Sequence, residues 1–345
     1  MTNKRILYWD IIKFFAIFCV TYGHTIQYLN PPERSLWNSF MGEWIVSFHM
    51  PLFMIVSGYF ARSLLKNKLL DTTKRKFIQL FIPSVSTYFL TGIILIFLRH
   101  TPFIEGLQNL LGYCVSSYWF LKALFIFYVL TTILYLLWKK IKWLPAICII
   151  LLLLLPVKIL DYVHCISMYP FFIVGLLLWK YEDAFFKRKK LIILFSLLLY
   201  ISLSYFYTPK EYNMHDHLFS WNSEYLLLYF IRILIGISAS FICIICIRKL
   251  CIKTGENSIT NYLAKIGTCT LGIYVFQQNF MVTGKYYCID FVQKINPFKD
   301  TIYEFIYYDY IFCLACATII TLICTYMVII IRKTKYLRLI LLGEK

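Results

Sequence analysis

Stretches apolar and long enough to cross a bilayer recur along this chain, near residues 8–28, 44–61, 78–98, 118–138, 143–160, 168–179, 191–207, 225–247, 262–283 and 308–331. Backbone in hydrocarbon must satisfy its own N–H and C=O groups, which leaves only helices or closed barrels. Uninterrupted runs of this length read as helices. The fifth run is broken by Pro156 and the sixth is short, so these two carry the weakest signal. Composition agrees with the pattern. The chain is 60% hydrophobic and 15% charged, against about 45–50% and about 25% in soluble domains.

A net charge of +18 invites a nucleic-acid reading, but its distribution argues for a bilayer instead. If all ten runs cross, 24 of the 35 Lys and Arg residues fall in the segments on the side that holds both termini. The opposite side holds seven: Arg34, Arg99, Lys158, Lys210, Lys285, Lys294 and Lys299. That asymmetry is the positive-inside pattern. It predicts an all-α, polytopic membrane helical bundle of about ten transmembrane helices with both termini cytoplasmic. The setting is the cell inner (cytoplasmic) membrane, with the lipid bilayer rather than nucleic acid as partner. The first run carries Asp10 and Lys13 and no small-residue cleavage site follows, so it reads as a retained span. Residues 1–345 read as one integral membrane domain with no appended soluble domain. Trp37, Trp44, Trp138, Trp143, Trp179 and Trp221 near run ends read as an interfacial belt.

Most of the twelve cysteines lie inside apolar runs, where a free thiol behaves as a small hydrophobe. The C-x-x-C spacings at 243–246 and 313–316 are helical i, i+3 pairs and poor redox or zinc sites. Pairing among Cys114, Cys165 and Cys288 stays open. His215-Asp216-His217 has metal-ligand residue types but lacks a third anchored ligand, so no metal is expected.

Ionisable groups inside the first run carry the chemistry. Lys13 and His24 are eleven positions apart; at about 100° and 1.5 Å per residue they share a helix face roughly 16 Å apart. Asp10 falls on the same stripe, positioned to hold Lys13 charged and oriented. Intramembrane charges of this kind are functional candidates by default. The second run opens with Ser47-Phe48-His49-Met50-Pro51-Leu52-Phe53, followed by Ser57-Gly58-Tyr59. Pro51 is expected to interrupt the helix and Gly58 to admit a close neighbour, so that the second span packs tightly on the first.

These residues together resemble the acyltransferase 3 family of membrane proteins, within it most nearly the group related to fucose 4-O-acetylase. The resemblance rests on Arg5-x4-Asp10-x2-Lys13-x10-His24, on Phe48 to Phe53, and on Ser57-Gly58-Tyr59. It continues in the basic connection ending at Pro83, in Trp119-Phe120-Leu121, in Pro170-Phe171-Phe172-x2-Gly175, and in Leu271-Gly272-Ile273-Tyr274. The resemblance implies an O-acyltransferase moving an acyl group, most simply acetyl, from cytoplasmic acyl-CoA to a hydroxyl of a surface glycan or its lipid-linked precursor. It also implies that Lys13 and His24 are functional and that the second cytoplasmic segment engages the CoA phosphates.

The residue chemistry fits that expectation. An imidazole is the usual group to take a proton from a sugar hydroxyl, so His24 is the candidate general base, with transient acyl carriage as the other role. Lys13 is suited to neutralise a CoA phosphate or the thioester oxygen. Arg75 and Lys76, nearest the membrane in the basic segment, are the phosphate candidates. His49, Ser57, Trp119, Gln277 and Gln278 are candidate acceptor contacts. Two departures stand out. Where relatives carry Arg-x-x-Arg this chain has Lys76 and Gln79, and where relatives carry a histidine after the tyrosine it has Phe276-Gln277-Gln278. An amide can orient a sugar but cannot titrate. The rival readings are a glycan-precursor transporter or flippase, or a non-catalytic partner in polysaccharide assembly. The oligomeric state is not readable.

Overall fold

The computed structural model describes residues 7–30, 36, 39–65, 68–99, 118–143, 165–206, 223–287, 297 and 303–344. The described elements are helical throughout. They are α1 (Leu7–Leu29), α2 (Phe40–Tyr59), a 3-10 turn (Phe60–Leu65), α3 (Leu69–Lys76), a π-helical turn (Phe77–Phe81), α4 (Ile82–Arg99), α5 (Trp119–Lys140) and α6 (Cys165–Lys180). Then follow α7 (Glu182–Lys187), α8 (Lys189–Ser204), α9 (Ser223–Thr254), α10 (Ser258–Gly267), α11 (Thr270–Tyr287), a second π-helical segment (Ile306–Phe312), α12 (Cys313–Ile331) and α13 (Lys335–Leu342).

Four of the described helical stretches are long and apolar enough to cross a membrane: Phe40–Arg62, Trp119–Lys140, Leu227–Thr254 and Ile306–Ile331. The helix of the sixth run is shorter, at Ser167–Lys180. The fifth run lies outside the described residues apart from Trp143, as do Arg5, Trp37, Trp221, Cys114, Cys288 and the His215-Asp216-His217 triplet. α8 turns Leu191, Leu194, Phe195, Leu198 and Ile201 outward at helical spacing. A continuous apolar stripe of this kind suits acyl chains rather than water. Trp44, Trp138 and Trp143 are exposed, as belt residues are.

The chain divides into two compact units. The first takes Met1–Phe53, Phe186–Tyr212 and Leu234–Lys333; the second takes Met54–Phe185, Asn213–Ile233 and Thr334–Lys345.

In the first unit α1 is the central element. Its buried residues run around most of the circumference, from Trp9, Ile11 and Ile12 to Tyr22, Thr25 and Leu29, and α10, α11 and α12 pack on it. That position accounts for its polarity. A helix enclosed by protein can keep the ionisable Lys13 at less cost than a lipid-facing one, while the Thr21 hydroxyl donates to the Ile17 carbonyl of its own helix. α12 runs antiparallel to α1: its start is tied to Thr25 through the Cys313 carbonyl, and Arg332 beyond its end donates to the Thr268 carbonyl beside α10. α10 in turn meets the start of α1, where a Cβ on Gly267 would overlap the Asp10 carbonyl oxygen.

In the second unit α2 and α6 cross backbone to backbone. A Cβ on Gly58 would overlap the Phe172 carbonyl oxygen, and one on Gly175 the Ile55 carbonyl oxygen. The close neighbour at Gly58 is therefore α6 and not the first span, contrary to the sequence expectation, and two of the sequence motifs meet in one contact. Phe171 and Phe172 are fully buried beside it, and Phe172 packs against Phe127 and Tyr128 of α5.

Pro51 does not interrupt its helix, contrary to the sequence expectation. α2 continues from Phe40 to Tyr59 with Pro51 inside it. Proline removes a single N–H donor. The carbonyl that loses its donor is that of Ser47, four residues earlier, and one missing bond is not enough to end a helix whose other turns are intact.

Candidate functional site

Of the residues singled out from the sequence, Asp10, Lys13, His24, His49, Gln277 and Gln278 belong to the first unit, and Ser57, Arg75, Lys76 and Trp119 to the second.

Asp10 sits in the first turn of α1, where a carboxylate suits the positive end of the helix dipole. It is 7% exposed and accepts from the Lys13 Nζ at 3.1 Å, with Lys13 itself 25% exposed. The pair expected from the sequence forms. One helical turn brings the two side chains together, and the tight Gly267 contact fixes the Asp10 backbone behind them. Three turns further along α1, His24 is half-buried, with its ring edge-on to Tyr28 at 6.0 Å between centroids. Its Nδ1 is enclosed and has no hydrogen-bond partner. The exposed part of the ring is therefore on the Nε2 side.

On α2, His49 places Nδ1 2.7 Å from the Ile45 carbonyl oxygen. A carbonyl can only accept, so Nδ1 carries the proton. α2 lies against α1 here: Phe15 stacks on Phe48 with centroids 6.1 Å apart, and Gly23 meets the Ile45 side chain.

On α11, Gln277 is completely buried, and neither its amide oxygen nor its nitrogen has a partner. The helix begins beside the Asp10 end of α1, so two turns at about 1.5 Å per residue bring Gln277 to a level between Lys13 and His24. Gln278 is half-buried. Native interiors pair nearly all such groups, and an unpaired one costs about 1–3 kcal/mol. His24 Nδ1 and the Gln277 amide are two buried polar groups on neighbouring helices without a hydrogen-bond partner among the described residues.

In the second unit the Lys76 ammonium lies 3.8 Å from the centre of the Tyr128 ring and donates to the Gln79 amide oxygen at 2.9 Å. Burial lowers its pKa to about 8, with the neighbouring Arg75 charge adding to the effect. Arg75 is exposed. The two positions aligned with the Arg-x-x-Arg pair are thus in direct contact, the amide capping the ammonium. Tyr128 donates in turn to the Ser57 carbonyl at 3.3 Å. Trp119 begins α5 just after Tyr118, a non-glycine residue held at φ 51°. That conformation is costly, and is kept where surrounding packing enforces it.

Sequence reasoning missed one constellation. Asp309, buried in the second π-helical segment, accepts from Asn30 at 3.1 Å and from Ser39 at 2.6 Å through its two carboxylate oxygens. Its main-chain carbonyl accepts from the Tyr22 hydroxyl at 2.6 Å. The signal was an acidic residue at the edge of the last apolar run, in a chain with few acids. A lone edge carboxylate reads as solvated unless its partners, some 270 or more positions earlier, are known.

Comparison with protein families matches residues 6–332 to the acyltransferase 3 family, described as an acyltransferase domain. The chain belongs to this family. It is a multi-pass membrane protein. Two curated proteins are similar over about half of their lengths: nodulation protein NolL of Sinorhizobium fredii, 30% identical over 181 residues (51% of this chain, 49% of that protein), and nodulation protein NolL of Mesorhizobium japonicum, 27% identical over 199 residues (53% of each). The chain thus spans about half the length of the curated relatives it matches. No solved structure matches the chain. Seen in this structure, the residues by which the chain resembles the family divide into two kinds. Gly58 and Gly175 serve helix packing, whereas Lys13 and His24 sit as polar groups inside a packed helix.

Proposed function

We propose that this chain is a membrane O-acyltransferase. It moves an acyl group, most simply acetyl, from acyl-CoA on the cytoplasmic side of the inner membrane to a hydroxyl of a surface glycan or its lipid-linked precursor. The observation that supports this most is the placement of the family's Lys and His on one enclosed helix, Lys13 oriented by Asp10 and His24 with Nδ1 buried and unpartnered.

In this reading the acceptor hydroxyl gives its proton to His24 Nε2 as its oxygen attacks the thioester carbonyl. The tetrahedral oxyanion collapses, the C–S bond breaks, and the CoA thiolate takes up the proton from the imidazolium. Lys13, roughly 16 Å from His24 along α1, supplies positive charge near the donor end of the helix, where a CoA phosphate gains from it. Lys76 and Arg75 contact the CoA phosphates. Gln277 and His49 orient the acceptor sugar, with Gln278, Ser57 and Trp119 as outer contacts. A positioned imidazole of this kind contributes roughly 10²–10⁴-fold.

The test is transfer from labelled acetyl-CoA in membranes carrying wild type or His24→Ala. Loss of transfer at unchanged protein level is the expected result. Normal transfer in the variant overturns His24 as base, and export of unmodified glycan with no label transferred by wild type favours a transporter.

A further inference from the structure

Asp309 occupies a position the acyl-transfer scheme has not used, and its bonds converge on both helices that carry the candidate histidines. Its carboxylate holds Asn30, just past the end of α1, and Ser39, just before α2. Its main-chain carbonyl holds Tyr22. One turn on, the Cys313 carbonyl accepts from the Thr25 hydroxyl at 3.1 Å, and the Cys313 thiol donates to the Asn30 amide oxygen at 2.9 Å. Ser39 passes the link forward by accepting from the Gly42 N–H at 3.0 Å at the start of α2.

Tyr22 and Thr25 lie one turn apart on α1, with His24 between them in sequence and, at about 100° per residue, roughly 200° around the helix from Tyr22. Pinning Tyr22 and Thr25 to the start of α12 sets the rotation of α1 and fixes its axial position. His24 is thereby aimed to the opposite side. Ser39 does the same for α2, whose His49 follows ten residues later. The π-helical winding at Ile306–Phe312 belongs to this arrangement, since such segments recur at functional sites.

We propose that Asp309 is a positioning residue for acyl transfer: one buried carboxylate ties together the ends of α1 and α2 and so holds His24 and His49 in reacting geometry. This rests on the acyltransferase reading above. Misplacement of a catalytic group by about 1 Å costs on the order of 10²-fold in rate. Asp309→Asn keeps the shape but removes one acceptor, so either Asn30 or Ser39 loses its bond.

The experiment measures acyl transfer in membranes at varied acyl-CoA for wild type, Asp309→Asn, Ser39→Ala, the double variant and Tyr22→Phe. Asp309→Asn is expected to lower kcat by about 10–100-fold while the KM for acyl-CoA stays within about twofold. A residue that merely supports folding would lower the amount of active protein and the melting temperature without this split. Ser39→Ala is expected to lower kcat in the same direction, and the double variant to be no more active than Asp309→Asn. Unchanged kcat in Asp309→Asn, or a double variant more active than Asp309→Asn, overturns the proposal. If Asp309→Asn does not accumulate, Ser39→Ala, which removes a donor to the carboxylate itself, decides: a reduced kcat at wild-type KM supports the role, and wild-type kcat ends it, with Tyr22→Phe reporting the separate main-chain bond. Absence of transfer by the wild-type protein is a separate result that defeats the acyltransferase reading itself.

Discussion

Lys76 shows how much one residue's surroundings alter its chemistry. Its ammonium is wrapped by the Tyr128 ring and the Gln79 amide, and burial holds its pKa down to about 8. The sign follows directly: the group is charged below that value and neutral above it. If it contacts a CoA phosphate, the KM for acyl-CoA should rise as pH is raised from about 7 to about 9, because the attracting cation is lost. Lys76→Arg, which stays charged throughout, should flatten that rise. Identical pH dependence in the two proteins would remove Lys76 from the donor site. Lys13, Asp10 and His24 were legible in the sequence because charges inside an apolar run are conspicuous and helical spacing relates them. Asp309 was not, because its partners are distant in sequence and hydrogen bonds to neutral side chains leave no pattern.

Among elements, the α2–α6 crossing makes the sharpest prediction. Neither Gly58 nor Gly175 has space for a methyl group before a carbonyl of the other helix. Gly58→Ala or Gly175→Ala should each destabilise the protein by about 1–3 kcal/mol, the usual cost of overpacking. The reading is a lower melting temperature in detergent. The double variant should cost less than the sum, since parting the helices once relieves both clashes. Melting at the wild-type temperature would mean that this crossing can open freely. The two motifs were visible in the sequence as separate signals, but their meeting was not, because residue patterns give helix faces and not the choice of neighbour. Pro51 misled for a related reason: its missing donor looks decisive in a list of residues, whereas it removes one bond and the remaining turns of α2 carry the helix through.

For the whole molecule, charge asymmetry is the argument that reaches furthest. A split of 24 to seven in Lys and Arg predicts that both ends face the cytoplasm and that residues 208–224 face the opposite side. A reporter enzyme active only in cytoplasm should work when fused after Lys345 and fail when inserted within 208–224. Activity at both places would break the ten-span alternation. The helical class was legible because hydropathy alone dictates it. The division into two units was not, since each gathers three separate stretches of chain, and hydropathy says nothing of which spans associate.

The last helix carries a practical lesson. α13 lies beyond residue 332, where the family match stops, yet Gly343 at φ 62° seats against Ile78 and Gln79, and the Ile340 carbonyl accepts from Ser86 at 2.6 Å. Lys76 therefore leans on a strut that comes from the far end of the polypeptide. Chimaeras with relatives, if spliced at the edge of the shared domain, would knock that strut away; a junction after Gly343 would leave it standing.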